Sequence, residues 1–364
     1  MKDKINVLSL FDGISCGQVA LERVGIKVNN YFASEIDKYA IQITQKNYPN
    51  TIQLGDVRTI DLAKLPTIDL LIGGSPCQGF SFAGKQLNFK DERSILFFEY
   101  AKILKTLKPK YFLLENVKMK QEYQNIISEF VGVQPIEINS ALVSAQNRKR
   151  LYWTNIPNIN QPEDKGILLK DIVHEYSEVD RAKSLCLLAG YDGKFTVKRY
   201  FEKHIHQAIF EIIAEYVVPF DKTLQILDKE VQKGKVGYFR KDSQANRVYY
   251  IHDKAVTLCG DAGGGAAKMG QYLFGCITPD RVEKRQNGQR FNDGKKFYTL
   301  TAQDKHGILI EGYIRKLTPI ECERLQTLPD NYTEGVSNSQ RYKMLGNGWT
   351  VDVIAHIFKG LKND

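Results

Sequence analysis

The chain has 364 residues, 43% hydrophobic and 26% charged, which is the make-up of a globular protein large enough for two domains. No apolar run reaches the ~18 to 20 residues of a membrane helix, and Met1-Lys2-Asp3-Lys4 leads straight into strand-like residues from Ile5, so no signal peptide and a cytoplasmic protein are expected. The net charge is +9, and residues 231–316 hold 16 Lys and Arg against 8 Asp and Glu, a local excess that points to a polyanion partner.

Residues 5–10 are mostly apolar and read as a central strand. Phe11-Asp12-Gly13-Ile14-Ser15-Cys16-Gly17 follows, and residues 18–24 have helical spacing. Strand, glycine turn and helix open a nucleotide-binding βαβ unit. The next strand, Tyr31-Phe32-Ala33-Ser34, ends in Glu35. An acidic residue ~20 positions after the glycine turn is where such folds hold a ribose diol. Strand-like Thr51-Ile52-Gln53-Leu54 then leads to Asp56, which either accepts from an adenine amino group or is a surface-turn aspartate.

Residues 68–72 read as a buried parallel strand, and Gly73-Gly74-Ser75-Pro76-Cys77-Gln78-Gly79 comes directly after it. Functional sites in open α/β sheets lie just past the carboxyl ends of strands. A lone cysteine is more often a small buried hydrophobe, yet Ser-Pro-Cys-Gln in this position is more specific than that. A polar loop continues to Arg93, longer than a tight turn and of the kind that forms lids or binding loops. A helix is expected over 95–107. Tyr111-Phe112-Leu113-Leu114 is another strand, ending in Glu115-Asn116-Val117. Gln146-Asn147-Arg148-Lys149-Arg150 then enters an apolar stretch, either as a plain basic turn or as part of a site.

From Pro162 to Gly312 the βα rhythm stops. Helical stretches are expected in 163–230, most clearly over 204–217 with His204 and His206 on the helix flank. Short strands and glycines follow: Asn246-Arg247-Val248-Tyr249, then Lys254-Ala255-Val256-Thr257-Leu258 and a glycine run to Gly270. A partial echo spans 289–307. Such loops on a basic segment suit the reading of base edges in a major groove. Thr318 is an N-cap, Pro319 the first helical residue and Glu321 the partner in a capping box. Gly346-Asn347-Gly348-Trp349-Thr350-Val351 introduces a last helix over 353–361. The cysteines at 16, 77, 186, 259, 276 and 322 form no Cys-x-x-Cys pair, which argues against zinc and a disulfide framework.

Taken in order, Phe11-x-Gly13, Ser75-Pro76-Cys77-Gln78, Glu115-Asn116-Val117, Gln146-x-Arg148-x-Arg150, the Thr257-Leu258 pair with its glycine run and Gly346-Asn347 resemble the motifs of the DNA (cytosine-5) methyltransferases of bacterial restriction–modification type. Phe-Asp-Gly-Ile-Ser-Cys-Gly and Gly-Asn-Gly-Trp are closer to the vertebrate de novo enzymes, with Ser15 where the bacterial enzymes usually carry a second glycine. The resemblance implies an α/β fold: a doubly wound Rossmann-like domain dependent on S-adenosylmethionine (residues 1–162 and 313–364) plus a smaller, mostly β target-recognition domain (163–312). It implies that Phe11 stacks on the cofactor's adenine, Glu35 binds its ribose and Asp56 and Val57 flank the adenine. Asp12, Gly13, Gly17, Ile36, Pro76, Asn347 and Trp349 fall on the remaining cofactor positions. Cys77 matches the nucleophile, Glu115 the carboxylate, and Arg148 and Arg150 the paired arginines. Gln78, Ser81, Gln86, Gln244, Arg247, Thr257, Gly264, Gly265 and Lys268 match places that meet double-stranded DNA. The implied protein is a monomer that methylates cytosine C5, as an orphan enzyme or beside a separate restriction endonuclease. RNA methylation and DNA binding without catalysis are the alternatives.

Overall fold

The computed structural model describes residues 4–75, 92–174, 177–194, 200, 203, 205–214, 224–226, 235–239, 247–250, 271–277, 307–309 and 311–363. They divide into two compact units. The first comprises Met1–Leu168, Leu185–Lys194 and Thr318–Asp364, and the second Leu169–Ser184 with Phe195–Leu317.

The first unit is built on seven strands: β1 (Ile5–Leu10), β2 (Val28–Ser34), β3 (Ile52–Gln53), β4 (Leu70–Gly74), β5 (Tyr111–Val117), β6 (Ile136–Asn139) and β7 (Lys149–Thr154). Their order across the sheet is β3-β2-β1-β4-β5-β7-β6. β1 pairs in parallel with both β2 and β4, and β5 with β4, whereas β7 runs antiparallel between β5 and β6. The central strands are apolar on both faces because helices cover both. Val7, Leu8 and Leu10 of β1 and Leu70, Leu71 and Ile72 of β4 are fully buried. Between them run α1 (Cys16–Arg23), α2 (Lys38–Asn47), α3 (Glu92–Leu107) and α4 (Gln121–Val131). Phe97 and Tyr100 of α3 fill one side of the sheet with Leu71, Leu114 and Trp153. This is the expected doubly wound α/β arrangement. β1 lies at the point where the chain winds first toward β3 and then toward β6, the place where such sheets open a crevice for ligands.

A four-residue turn of helix, α5 (Tyr191–Lys194), also belongs to the first unit. After the second unit the chain returns as α6 (Pro319–Leu325), α7 (Asn338–Asn347) and α8 (Val351–Phe358). The capping box forms as its sequence implies: Thr318 Oγ1 accepts from Glu321 N at 3.2 Å, and Glu321 Oε2 accepts from Thr318 N at 2.7 Å. The last helix starts two residues earlier than expected and tightens into a 3₁₀ turn from Lys359.

In the second unit, the described strands form two sheets. One has five strands, the other three. The smaller consists of β8 (Ser177–Glu178), β9 (Ala208–Ala214) and β15 (Glu311–Lys316), and the larger of β10 (Leu224–Ile226), β11 (Lys235–Phe239), β12 (Arg247–Tyr250), β13 (Gln271–Ile277) and β14 (Gly307–Leu309). The helix expected over 204–217 is a strand instead. β9 pairs antiparallel with β15, Phe210 opposite Ile314 and Ala208 opposite Lys316. Ala208, Ile209 and Phe210 are buried in succession, and the backbone pairing with β15 runs along the whole of β9. His206 accordingly lies in a buried bend ahead of the strand rather than on a helix flank. Among the described residues no helix is long and apolar enough to cross a membrane, and no group of His, Cys, Asp and Glu is placed to hold a metal ion.

Candidate active site

The turn after β1 is a tight polar knot. Phe11, Gly13 and Ser15 all have positive φ (57°, 61° and 58°), a succession that folds the backbone back on itself before α1 starts. Glu35, at the end of β2, ties the knot to its own strand. Its Oε2 accepts from Gly13 N at 2.8 Å, and its Oε1 accepts from Ile36 N at 2.7 Å and Asp37 N at 2.8 Å. Asp12 turns inward, where Tyr31 Oη donates to it at 2.8 Å and Ser15 Oγ makes a second, shorter bond. Burial pushes the Asp12 carboxyl up to about 6, against the hydrogen bonds from Ser15, Ser9 and Tyr31. Gly17 sits in a crowded place, where a larger residue would have to displace side chains. A Cβ there would lie 2.4 Å from Ile72 Cδ1 and 2.9 Å from Tyr31 Oη.

Beside the knot the described residues leave open space. Among them, a Cβ on Gly13 would meet nothing within 4 Å, and Ile36 is 74% exposed, unusual for so large an apolar side chain. Asp56 caps the short turn that holds buried Val57, and both its oxygens are taken by Arg58. That pairing holds the Asp56 carboxyl down at about 2.

Glu115 sits in β5 itself, opposite Gly74 of β4 on one side and Tyr152 of β7 on the other. Arg150, two residues before Tyr152 on the same face, reaches back to it: Nε donates to Glu115 Oε1 at 3.0 Å. Trp349 Nε1 donates to Glu115 Oε2 at 3.2 Å from the loop between α7 and α8. Each carboxylate oxygen thus has its own donor, in a place where Glu115 is only 9% exposed. Burial disfavours the Arg150 cation, but Glu115, Cys186 and Tyr152 outweigh it and hold its proton more tightly than usual. Asn116 Nδ2 donates to Ser75 Oγ at 3.2 Å, which pins the last described residue before Pro76 and Cys77.

Arg148 turns away from this carboxylate. Its guanidinium donates to the carbonyls of Leu187 (2.9 Å), Gly346 (3.1 Å) and Gly348 (3.0 Å), and burial makes its cation easier to deprotonate than an exposed arginine. Asn347, at the end of α7, is exposed, and Trp349 is half-buried. Several structural members had no sequence signal. Tyr31 looks like any strand aromatic, and Gln326 looks like any helix-end polar residue, yet its Nε2 donates to Leu345 O at 2.6 Å and Gly348 O at 3.3 Å. Burial pushes the Cys16 thiol up to about 12, so it offers no thiolate. Pro76, Cys77, Gln78, Ser81, Gln86, Gln244, Thr257, Gly264, Gly265 and Lys268 lie outside the described residues. Arg247 opens β12, its backbone opposite Tyr238 of β11.

A nucleotide-type knot after β1, a gripped carboxylate two strands away on β5 and a pair of arginines at the start of β7 now stand together on one fold. The family description "C-5 cytosine-specific DNA methylase" matches residues 5–363. The chain belongs to this family. It is a DNA (cytosine-5-)-methyltransferase. It is 31% identical to the orphan methyltransferase M.SPRI of Bacillus phage SPR, over 98% of this chain and 97% of that one. It is 27% identical to the type II methyltransferase M.HhaI of Haemophilus parahaemolyticus, over 98% and 95%. Among solved structures, the methyltransferase EhMeth of Entamoeba histolytica shares its fold, with a TM-score of 0.59 at 16% identity, over 99% of this chain and 98% of that one. Enzymes of this family depend on S-adenosylmethionine.

Proposed function

We propose that this methyltransferase transfers a methyl group from S-adenosylmethionine to C5 of a cytosine flipped out of a specific short double-stranded DNA sequence, through a covalent bond between Cys77 and C6. The observation that carries this reading is the Glu115 carboxylate. It is held by Arg150 and Trp349 beside Gly74, three residues ahead of Cys77 in the chain.

The residues at the knot fit the cofactor. Glu35 is anchored by backbone N–H groups with open space above Gly13, and Ile36 exposes an apolar side chain where a purine needs a cover. Phe11, Asp12, Gly13, Gly17, Glu35, Ile36, Asp56, Val57, Pro76, Asn347 and Trp349 form the proposed binding set. When bound, S-adenosylmethionine supplies the methyl group as an electrophile on a positively charged sulfur.

Cytosine C5 is a weak nucleophile, and covalent catalysis divides the difficulty. The Cys77 thiolate adds to C6, and its electron pair forms the S–C6 bond. Protonated Glu115 donates to N3, which takes up the negative charge as the C5=C6 pair moves. C5 then takes the methyl group, and the electron pair of the broken sulfur–methyl bond would stay on the donor's sulfur, leaving a neutral thioether. A base removes the C5 proton, the double bond re-forms and Cys77 leaves as thiolate. Arg150 orders Glu115 in this scheme, and Arg148 holds the Gly346–Gly348 turn. A stacked base cannot reach such a site, so it must be flipped, at a cost of a few kcal/mol. The basic second unit, with Gln244, Arg247, Thr257, Gly264, Gly265 and Lys268, reads the target, while Gln78, Ser81 and Gln86 meet the DNA beside Cys77. The enzyme works as a monomer in a bacterial or phage-infected cytoplasm, as an orphan or beside a separate endonuclease.

Bisulfite sequencing of DNA from cells expressing the wild type and Cys77→Ala tests the reading. Protected cytosines in one short context, lost in the variant, are expected. Equal protection by the variant sinks the mechanism. A denaturation-resistant adduct with DNA containing 5-fluorocytosine is the second expected outcome, because fluorine blocks the proton loss that frees Cys77.

A further inference from the structure

We infer that Trp349 is a positioning residue for the Glu115 carboxylate, linking it to the cofactor turn, in addition to walling the cofactor pocket. The inference rests on the reading that Glu115 acts on the cytosine ring. Trp349 meets both ends of the site. Its indole N–H donates to Glu115 Oε2 at 3.2 Å, and its backbone bonds the Cys16 thiol at the start of α1. Its ring stands 3.8 Å from where a Cβ on Gly17 would be.

Two further features serve this contact. Gly74 leaves the space for it, since a Cβ there would lie 2.9 Å from Trp349 Nε1 and 3.0 Å from Glu115 Oε2. The residue before Trp349 is clamped. The Gly348 carbonyl accepts from Arg148 at 3.0 Å and from Gln326 at 3.3 Å, while Thr350 Oγ1 on the other side donates to Gln326 Oε1 at 2.8 Å. A tryptophan needed only for its flat face would not require its backbone to be held on both sides and its N–H aimed at a carboxylate. With Arg150 on Oε1 and Trp349 on Oε2, the carboxyl plane is set by two donors from different elements.

Trp349→Phe keeps an aromatic face and removes the donor. Loss of one of the two donors that fix the Glu115 carboxyl plane is expected to lower kcat for methyl transfer to unmethylated plasmid DNA about ten- to a hundred-fold. KM for S-adenosylmethionine and for DNA should stay within about threefold of wild type. In a Glu115→Gln background the same substitution should change the residual rate by less than about threefold, because its target is gone. Gly74→Ala, which pushes the pair apart from the β4 side, should reproduce the kcat loss, and it is read alone if Trp349→Phe does not fold. A rise in the KM for S-adenosylmethionine with kcat unchanged, or the same loss in both backgrounds, overturns the inference and leaves the role of Glu115 standing. Full turnover by Glu115→Gln overturns the reading on which it rests.

Discussion

Arg148, just ahead of β7, and Arg150, within it, are two residues apart, yet they do different work. Arg150 spends its guanidinium on Glu115, whereas Arg148 satisfies three backbone carbonyls around Gly348. A lysine at 148 has one compact ammonium and cannot reproduce a planar fork reaching three acceptors. Arg148→Lys is therefore expected to destabilise the protein by about 2 kcal/mol, read by denaturant unfolding, because buried carbonyls lose their partners. Arg150→Lys should leave stability nearly unchanged and depress turnover instead. Equal stability for both variants would refute this division. Asp12 gives a pH signature. Its carboxyl is raised from 3.8 to about 6, so the native state holds its proton more tightly than the unfolded chain does. Its stabilising contribution is complete below about pH 3.8 and is lost as pH rises through about 6. The shift corresponds to on the order of 3 kcal/mol. Melting temperatures of Asp12→Asn should accordingly show less decline between pH 4 and 7 than wild type, and parallel curves would count against a buried, proton-retaining carboxyl.

At the level of elements, the return segment seals the first unit, and its helix starts matter. Thr318→Ala removes a cap on α6 and should cost about 1 kcal/mol. Gly346 makes a harder demand. A Cβ there would lie 2.3 Å from Ala189 N and from Leu188 C, backbone atoms that cannot swing aside. Gly346→Ala is expected to lower stability by about 1 to 3 kcal/mol, more than the lost cap on average. It should also weaken S-adenosylmethionine binding measured by calorimetry, since Asn347 and Trp349 follow directly. Unaltered binding in a destabilised variant would show the turn to be structural alone. The expected helix over 204–217 failed at this scale: Ile209-Phe210-Glu211-Ile212-Ile213 is rich in β-branched and aromatic residues, and pairing with β15 decided between two local readings.

At the scale of the whole molecule, charge separates the roles. The basic excess falls within residues 231–316, all of them in the second unit, whereas the proposed chemistry falls in the first. If that segment meets the phosphate backbone, replacing Arg281, Lys284, Arg285 and Arg290 by Gln should flatten the salt dependence of DNA binding by up to about 0.9 in log–log slope per lost phosphate contact. An unchanged slope would place the phosphate contacts elsewhere.

The order of βα units, the glycine turn, Glu35 at the end of β2 and the Thr318 capping box were legible from the chain alone, because each depends on neighbours within a few residues and on a repeating apolar period. The family was legible too, because its motifs recur in a fixed order. Which of two arginines faces a carboxylate, which glycine makes room for an indole, and whether an apolar run becomes helix or strand were settled by partners far along the chain. Trp349 meets Glu115 across 234 residues and Arg148 meets Gly348 across 200. No local pattern encodes such contacts, because they exist only once the sheet has brought β4, β5 and β7 side by side and the return segment has closed over them.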